Sequence, residues 1–165
     1  MIGMSEVTYQ PIGIIHSPFK EQKGTPIQSE AGREIAGTVE VFPEYIEGLQ
    51  DLDGFSHIYL LFHFHLAKPA SLTAKPYLDV KTRGVFAIRG PSRPNRIGLS
   101  IVRLVGIEEN ILHIKDMDIL DGTPLLDIKP YIPEFDVKEA ERIGWYADKA
   151  FELSQTDADE RFERK

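Results

Sequence analysis

Apolar and polar residues alternate over short distances along this chain, and proline and glycine interrupt the pattern throughout. The 165 residues include eleven prolines and thirteen glycines, and no helical period is sustained before about residue 136. Six segments rich in Val, Ile, Phe and Tyr are typical of strands; they span residues 7–17, 35–42, 56–66, 84–89, 99–107 and 111–117. A succession of short strands favours a closed or nearly closed barrel, because closure removes unpaired strand edges.

Two local signals add turns to this pattern. The polar segment Glu108–Asn110 separates two apolar runs and predicts a hairpin. Pro43 suits the first position of a helical turn, which is expected to end before Gly48.

The end of the chain changes character and becomes charged. Asp136, with Glu139 three positions later, has the spacing of a capping box and predicts a helix from Val137. We therefore predict a mainly β fold, a small antiparallel or mixed β-barrel with short helical turns over residues 1–136. A short C-terminal helix and a charged tail are expected over residues 137–165.

Composition narrows the class of protein. No cysteine is present, which excludes disulfides, thiolate zinc sites and cysteine nucleophiles and fits a reducing compartment. The N-terminus lacks the basic start and apolar run of a signal peptide, and no segment approaches the ~18 apolar residues of a membrane span. We therefore expect a cytoplasmic protein with no membrane partner. The formal net charge of −7 argues against a protein coated in nucleic acid, but it allows a local anion site.

The segment "SHIYLLFHFHL" carries histidines along a predicted strand. Alternation places His63 and His65 on the same face. Two imidazoles at that spacing suit a metal ion, but residues 66–69 offer no carboxylate as a third ligand, and we predict no metal. Two other interpretations remain: a half-buried strand whose imidazoles satisfy backbone carbonyls, and a polar pocket wall, which we favour.

Positive charge is concentrated between Val80 and Ile107, a span with six Lys or Arg residues and no acid. Within it, the prolines and glycines of "GPSRPNRIG" predict a stiff, structured loop. Such a loop holds guanidinium groups in place, and Arg suits a carboxylate or a phosphate. The alternative is a solvated loop whose arginines pair with acids elsewhere. The chain has no P-loop and no G-x-G fingerprint, which excludes those nucleotide-binding classes.

Two further loops have the composition of binding segments. The stretch "DGTPLLDIKPY", residues 121–131, opens with an Asp-Gly turn and is dense in polar groups. The stretch "SPFKEQKGTPIQ", residues 17–28, combines Pro, Gly, Lys and Gln. Turns alone explain both stretches, but loops at the ends of barrels often carry binding groups. Three such loops are able to converge on one site.

Five stretches within about residues 7–136 stand out together: "IGIIHSPFK", "GTPIQ", "LDGFSHIYLLFHFH", "GVFAIRGPSRPNRIGLS" and "DGTPLLDIKPYIP". In sequence and in order they resemble the TsaA-like family of S-adenosylmethionine-dependent tRNA threonylcarbamoyladenosine methyltransferases. The resemblance implies a β-barrel methyltransferase that binds S-adenosylmethionine and works as a homodimer. It also implies N-methylation of the threonylcarbamoyladenosine next to the anticodon of tRNA.

The resemblance further implies which residues contact the cofactor. They are Pro26, Ile27, Gln28, His65, Leu66, Arg89, Leu99, Asp121, Gly122, Thr123 and Pro124. As a hypothesis about atoms, Arg89 suits the carboxylate of the cofactor and Asp121 its amine or ribose. Leu66, Leu99 and Pro124 are expected to hold the adenine.

Methyl transfer from a sulfonium is a displacement that depends mainly on positioning and on the exclusion of water. His63, Asp127 and Tyr131 are candidates to accept the proton of the acceptor nitrogen. Arg93 and Arg96 are candidates to contact tRNA phosphates, so binding is expected to weaken as salt is added.

The chain departs from the family pattern in three respects. Bacterial members carry Arg where this chain has Ile27 and Pro where it has Arg96, and they continue into a further C-terminal domain. Two alternatives therefore stay open. One is a methyltransferase of the same fold that acts on a small molecule or a peptide. The other is a non-catalytic barrel that binds S-adenosylmethionine or a metal.

Overall fold

Six antiparallel strands close into a barrel in the computed structural model, which describes residues 6–26, 32–77, 79–147 and 149. The strands are β1 (Gly13–His16), β2 (Gly37–Val41), β3 (His57–His63), β4 (Thr73–Ala74), β5 (Arg83–Gly84), β6 (Ile97–Glu108), β7 (Ile111–Lys115) and β8 (Thr123–Pro130). The barrel has the order β1-β2-β7-β6-β3-β8, with β8 pairing back onto β1, while β4 and β5 form a separate ribbon. The prediction of a mainly β barrel is confirmed.

Strand alternation directs every second side chain into the barrel. On β3, Ile58, Leu60 and Phe62 are buried while their neighbours are half-buried. Ile15 of β1 and Leu112 of β7 are also completely buried in the same core. Each such side chain contributes about 1.5–3 kcal/mol through burial, so this alternation fixes the register of the strands.

Phe62 of β3 lies directly opposite Gly98 of β6 in the ladder. A Cβ at position 98 would overlap the Phe62 ring, so only glycine lets the ring pack against the β6 backbone. Both residues of this close contact line the cavity described below.

The two predicted turns are confirmed. The hairpin joins β6 to β7, with Glu109 at a φ of 54° in the left-handed region. A 3-10 helix spans Pro43–Leu49, with Pro43 in its first turn as expected, and it runs one residue beyond Gly48.

The strand predicted over residues 7–17 is confined to Gly13–His16, and two other assignments from the sequence, one strand and one loop, are wrong. Residues 84–89 form a 3-10 turn at Val85–Ala87, because Val85 and Ile88, three apart, are the buried positions while Phe86 is exposed. The second error is β8, which the sequence analysis treated as a loop because of its two prolines. Pro124 and Pro130 lie at the second and last positions of that strand, where a missing N–H is tolerated.

The helix predicted from Val137 is wrong, because residues 137–143 form no helix and only a 3-10 turn, Gly144–Tyr146, follows among the described residues. A single α-helical turn, α1 (Pro133–Asp136), ends where the predicted helix begins. The Asp136 carboxylate accepts a hydrogen bond from the backbone N–H of Ile132 at 2.8 Å, so it caps the preceding turn and not a following one. The boundary at residue 136 stays a prediction, and the charged tail lies outside the described residues. Within the described part of the chain, no helix is long and apolar enough to cross a membrane.

Candidate functional site

A cavity of about 330 Å³ lies where the ends of β3 and β6 meet four loop segments. The loops contribute residues around positions 22–26, 64–67, 88–93 and 118–123, and Trp145 and Tyr146 complete the lining. β3 ends at His63, and the backbone N–H of Phe64 then donates to the carbonyl of Arg96 at 2.9 Å, which ties the end of β3 to the loop of residues 90–96 that precedes β6. A volume of this size is within the range of small-molecule sites.

Many of the residues predicted from the sequence lie together in this lining. They are Pro26, His65, Leu66, Arg89, Arg93, Leu99 and Thr123. Leu66 and Leu99 are 45% and 60% exposed, so apolar surface is available to a ligand. Ile27 and Gln28 lie outside the described residues.

His65 presents a neutral imidazole to the cavity. Burial lowers its pKa below the usual value, and the nearby charge of His63 lowers it further, while Asp121 acts in the opposite direction. Thr123 Oγ1 lies 3.4 Å from Nδ1 of His65 and donates a 2.7 Å hydrogen bond to the carbonyl of Leu120. The strand alternation that groups His63 with His65 ends at His63, and only His65 lines the cavity.

Asp121, Gly122 and Pro124 are outside the lining and shape the turn beside it. The Asp121 carboxylate accepts hydrogen bonds from the backbone N–H of Ser17 at 3.0 Å and from Nζ of Lys20 at 2.5 Å. These bonds, with Lys20 making the largest contribution, hold the pKa of Asp121 below its usual value. Gly122 adopts a φ of +75°, which glycine tolerates without strain. The carboxylate of Asp121 therefore fastens the segment after β1 to this turn.

The three candidate proton acceptors also lie outside the cavity lining. Asp127 Oδ2 lies 3.0 Å from Nζ of Lys129, and the Asp127 side chain is 46% exposed. The Tyr131 ring packs against Tyr59, with ring centroids 5.7 Å apart. His63 is the last residue of β3 and faces outward. The structure brings none of these three groups to the cavity.

The cationic span does not form one continuous patch. Arg83 pairs with Asp79, and Arg103 lies 3.1 Å from Glu34. For these two residues the structure agrees with the alternative interpretation, in which arginines pair with acids outside the span. Arg93 Nη1 donates to two carbonyls of its own loop, each at 3.1 Å, and so braces the loop at the cavity wall.

Asp118 is a cavity residue that the sequence analysis missed. Ser100, which is almost completely buried, donates a 2.7 Å hydrogen bond from Oγ to Oδ1 of Asp118. Burial raises the pKa of Asp118 to about 7, although the hydrogen bond from Ser100 and the charge of Arg89 act to lower it. The pattern that could have pointed to Asp118 is an acid between two apolar residues, Met117 and Ile119, which are both buried in the core.

The aromatic pair Trp145 and Tyr146 was also missed. Their rings stack at a centroid distance of 3.9 Å, and the indole N–H of Trp145 donates to the carbonyl of Ala87 at 2.8 Å. The guanidinium of Arg83 lies 5.4 Å from the centre of the Trp145 ring. These contacts hold a segment beyond the barrel against residues 83–87. In the sequence, the available signal was two adjacent aromatic residues beyond the last predicted strand.

The described side chains hold no group of three or more His, Asp or Glu residues arranged as metal ligands. The metal-binding alternative therefore has no supporting geometry in this part of the chain.

Comparison with known proteins links the chain to one family. Residues 14–137 match the model of the tRNA-methyltransferase O N-terminal domain. A probable S-adenosyl-L-methionine-binding protein from Pyrococcus abyssi is 59% identical over 156 residues, covering 94% of this chain and 85% of that protein. The human tRNA (adenine(37)-N6)-methyltransferase is 39% identical over 136 residues, covering 77% of this chain and 30% of that protein.

A solved structure agrees with these matches. The crystal structure of TrmO from Pseudomonas aeruginosa is similar with a TM-score of 0.72 and 40% identity, covering 86% of this chain. This chain spans 63% of the TrmO chain, so it matches under two thirds of that protein. The chain therefore belongs to the tRNA-methyltransferase O family, whose N-terminal domain it contains.

Proposed function

We propose that this protein binds S-adenosylmethionine in the cavity and transfers its methyl group to an adenosine of tRNA. The observation that carries the proposal is the convergence of separate segments on one cavity, with a guanidinium, a neutral imidazole and exposed leucines in its lining. The names of the relatives support the cofactor and the acceptor, since one is a probable S-adenosyl-L-methionine-binding protein and another a tRNA (adenine(37)-N6)-methyltransferase.

The chemistry of the lining fits the cofactor. Arg89 offers donors for a carboxylate, and Leu66 and Leu99 offer apolar surface for a purine ring. The Asp121 side chain is outside the cavity lining, and Lys20 and Ser17 already occupy part of its carboxylate, so we propose no contact between this carboxylate and the cofactor. When bound, S-adenosylmethionine supplies an activated methyl group on a sulfonium. The residues of the chain hold the two reactants in line and exclude water.

Threonylcarbamoyladenosine next to the anticodon is the acceptor that we propose. A test is to incubate the protein with labelled cofactor and bulk tRNA that either bears or lacks the threonylcarbamoyl group. We expect label only in the modified tRNA. Label in neither tRNA, from a protein that binds the cofactor, would favour the alternative of a small-molecule or peptide acceptor. The cytoplasmic location stays a prediction from the sequence.

Contacts to tRNA phosphates are proposed for Arg96, whereas Arg93 is already engaged by its own loop. The logarithm of the association constant for tRNA is expected to fall linearly with the logarithm of the salt concentration. The Arg96→Ala variant is expected to reduce the steepness of this slope by about one. An affinity that does not change with salt would contradict this contact.

We also propose a homodimer formed through the outer face of β6. Its outward side chains Ile97, Leu99, Ile101 and Val105 are between 36% and 60% exposed and form an apolar stripe that is interrupted only by Arg103, whose guanidinium pairs with Glu34. Such stripes on monomers usually mark partner surfaces. Because Leu99 also lines the cavity, a second copy on this stripe would border the cofactor site.

The mass in solution tests the dimer. Light scattering is expected to give twice the chain mass for the wild type and the single mass for the Ile101→Lys/Val105→Lys double variant. Val80→Lys is the control, because Val80 is 84% exposed but lies outside the stripe. A wild type that stays monomeric at high concentration would refute the dimer.

A further inference from the structure

Asp118 is the only acid lining the cavity among the residues that the structure describes. Asp118 lines the cavity, although its neighbours along the chain, Met117 and Ile119, are both buried in the core. The carboxylate is thus presented to whatever ligand fills this space.

The carboxylate is held in place and lies among charged and titratable groups. Ser100 is 6% exposed, and its hydroxyl fixes Oδ1 of Asp118 at 2.7 Å. The other titratable or charged groups of the lining are His65, Tyr77, Arg89, Arg93 and Tyr146. Arg89 is the charged partner that acts on Asp118, and its positive charge favours the carboxylate form.

The balance between burial and these partners leaves Asp118 with a pKa of about 7. A group that exchanges its proton near the working pH is suited to general acid–base chemistry. His65 is the other candidate base in the lining, but burial lowers its pKa and makes it the weaker proton acceptor.

We propose that Asp118 is the proton acceptor of the methyl transfer, an inference that rests on the proposed function. The carboxylate takes the proton from the acceptor nitrogen as the bond from nitrogen to methyl carbon forms. The carbon–sulfur bond breaks, and its electron pair returns to sulfur, which leaves as a neutral thioether. Asp118, now a carboxylic acid, returns its proton to water after the products leave.

The test is the pH dependence of the methylation rate with saturating cofactor and modified tRNA. The wild-type rate is expected to rise with pH as Asp118 ionises. Asp118→Asn, which keeps the shape of the side chain, is expected to lose at least about 100-fold in rate together with that rise. Its cofactor affinity, measured by equilibrium dialysis, is expected to stay within about twofold of wild type.

Two further variants exclude a merely structural role. Ser100→Ala removes the hydrogen bond that favours the carboxylate, so the rise in rate is expected to move to higher pH. Asp53→Asn, on an exposed residue of a distant 3-10 turn, is expected to keep the wild-type rate and profile.

Three outcomes would overturn the inference. Asp118→Asn with the rate and profile of wild type would remove Asp118 from the proton transfer and leave the proposed function standing. Loss of cofactor affinity equal to the loss of rate would make Asp118 a cofactor ligand instead. A wild-type protein that methylates no tRNA would refute the proposed function and this inference together.

Discussion

Two aspartates three positions apart have opposite environments at the same end of the barrel. Burial raises the pKa of Asp118 to about 7, whereas Lys20 and the Ser17 N–H lower that of Asp121. The difference follows from the surroundings of each side chain, because Asp118 lines the cavity and Asp121 faces the segment after β1. One carboxylate is available for chemistry and the other fastens the fold.

These opposite shifts predict opposite effects on stability. Asp118 lowers the free energy of unfolding progressively as pH rises from about 4 toward 7, because its carboxyl group ionises less readily in the folded state than in the unfolded state. Asp118→Asn is therefore expected to be more stable than wild type at about pH 8, by roughly 1–3 kcal/mol, with little difference at about pH 4. Urea unfolding at both pH values measures this, and an equal difference at the two values would contradict the raised pKa.

Asp121 stabilises the folded protein at a pH above the ordinary carboxyl pKa, and this contribution is lost as pH falls through its lowered value. Asp121→Asn is expected to unfold more easily than wild type near neutral pH and to approach wild type in acid. Unfolding curves that keep the same separation at every pH would contradict this account.

At the scale of elements, the cavity wall is completed by a segment that follows the barrel. Trp145 donates to Ala87 and stacks with Tyr146 at the edge of the cavity. Trp145→Ala is expected to weaken cofactor binding about tenfold, because a large apolar wall is lost, while Trp145→Phe loses less. Phe135→Ala is the control, since Phe135 is an exposed aromatic outside the lining. Equal affinities in all variants would place the cofactor away from this wall.

How far the sequence predicts each element depends on whether its signal is local. The alternation on β3 and the turn at Glu108–Asn110 are local patterns; the turn appears where it was predicted, and the alternation does so as far as His63. β8 depends on pairing with β1 and β3, which lie far away in the sequence, so its prolines suggested a loop. The 84–89 segment has the composition of a strand, but the burial of Val85 and Ile88 imposes a spacing of three.

The site residues also differ in how far the sequence predicts them. Resemblance to a family gave the residues of the recurring motifs, and Arg89, His65 and Leu99 line the cavity. It gave no information about Asp118, whose pKa is raised by burial and whose carboxylate is held by Ser100 of β6, a residue distant in the sequence. Trp145 lies beyond the matched domain, and only the fold of the chain brings it to the cavity.

At the scale of the whole molecule, closure of the barrel positions the segments that line the cavity. Strand order brings the end of β3, the start of β6 and the turn before β8 to one place, although they are far apart along the chain. The net charge of −7 is no obstacle to binding an anionic group, because the local charge of the cavity is set by the arginines in its lining.

Equilibrium dialysis of the protein against labelled S-adenosylmethionine tests the central claim, that this cavity is the cofactor site. We predict saturable binding by the wild type. The affinity is expected to fall about 10- to 100-fold in Arg89→Ala, because a charge-assisted hydrogen bond to the cofactor carboxylate is lost. Asp53→Asn is expected to bind with the affinity of the wild type. Absence of binding at millimolar cofactor, or equal affinity in wild type and Arg89→Ala, would contradict the claim.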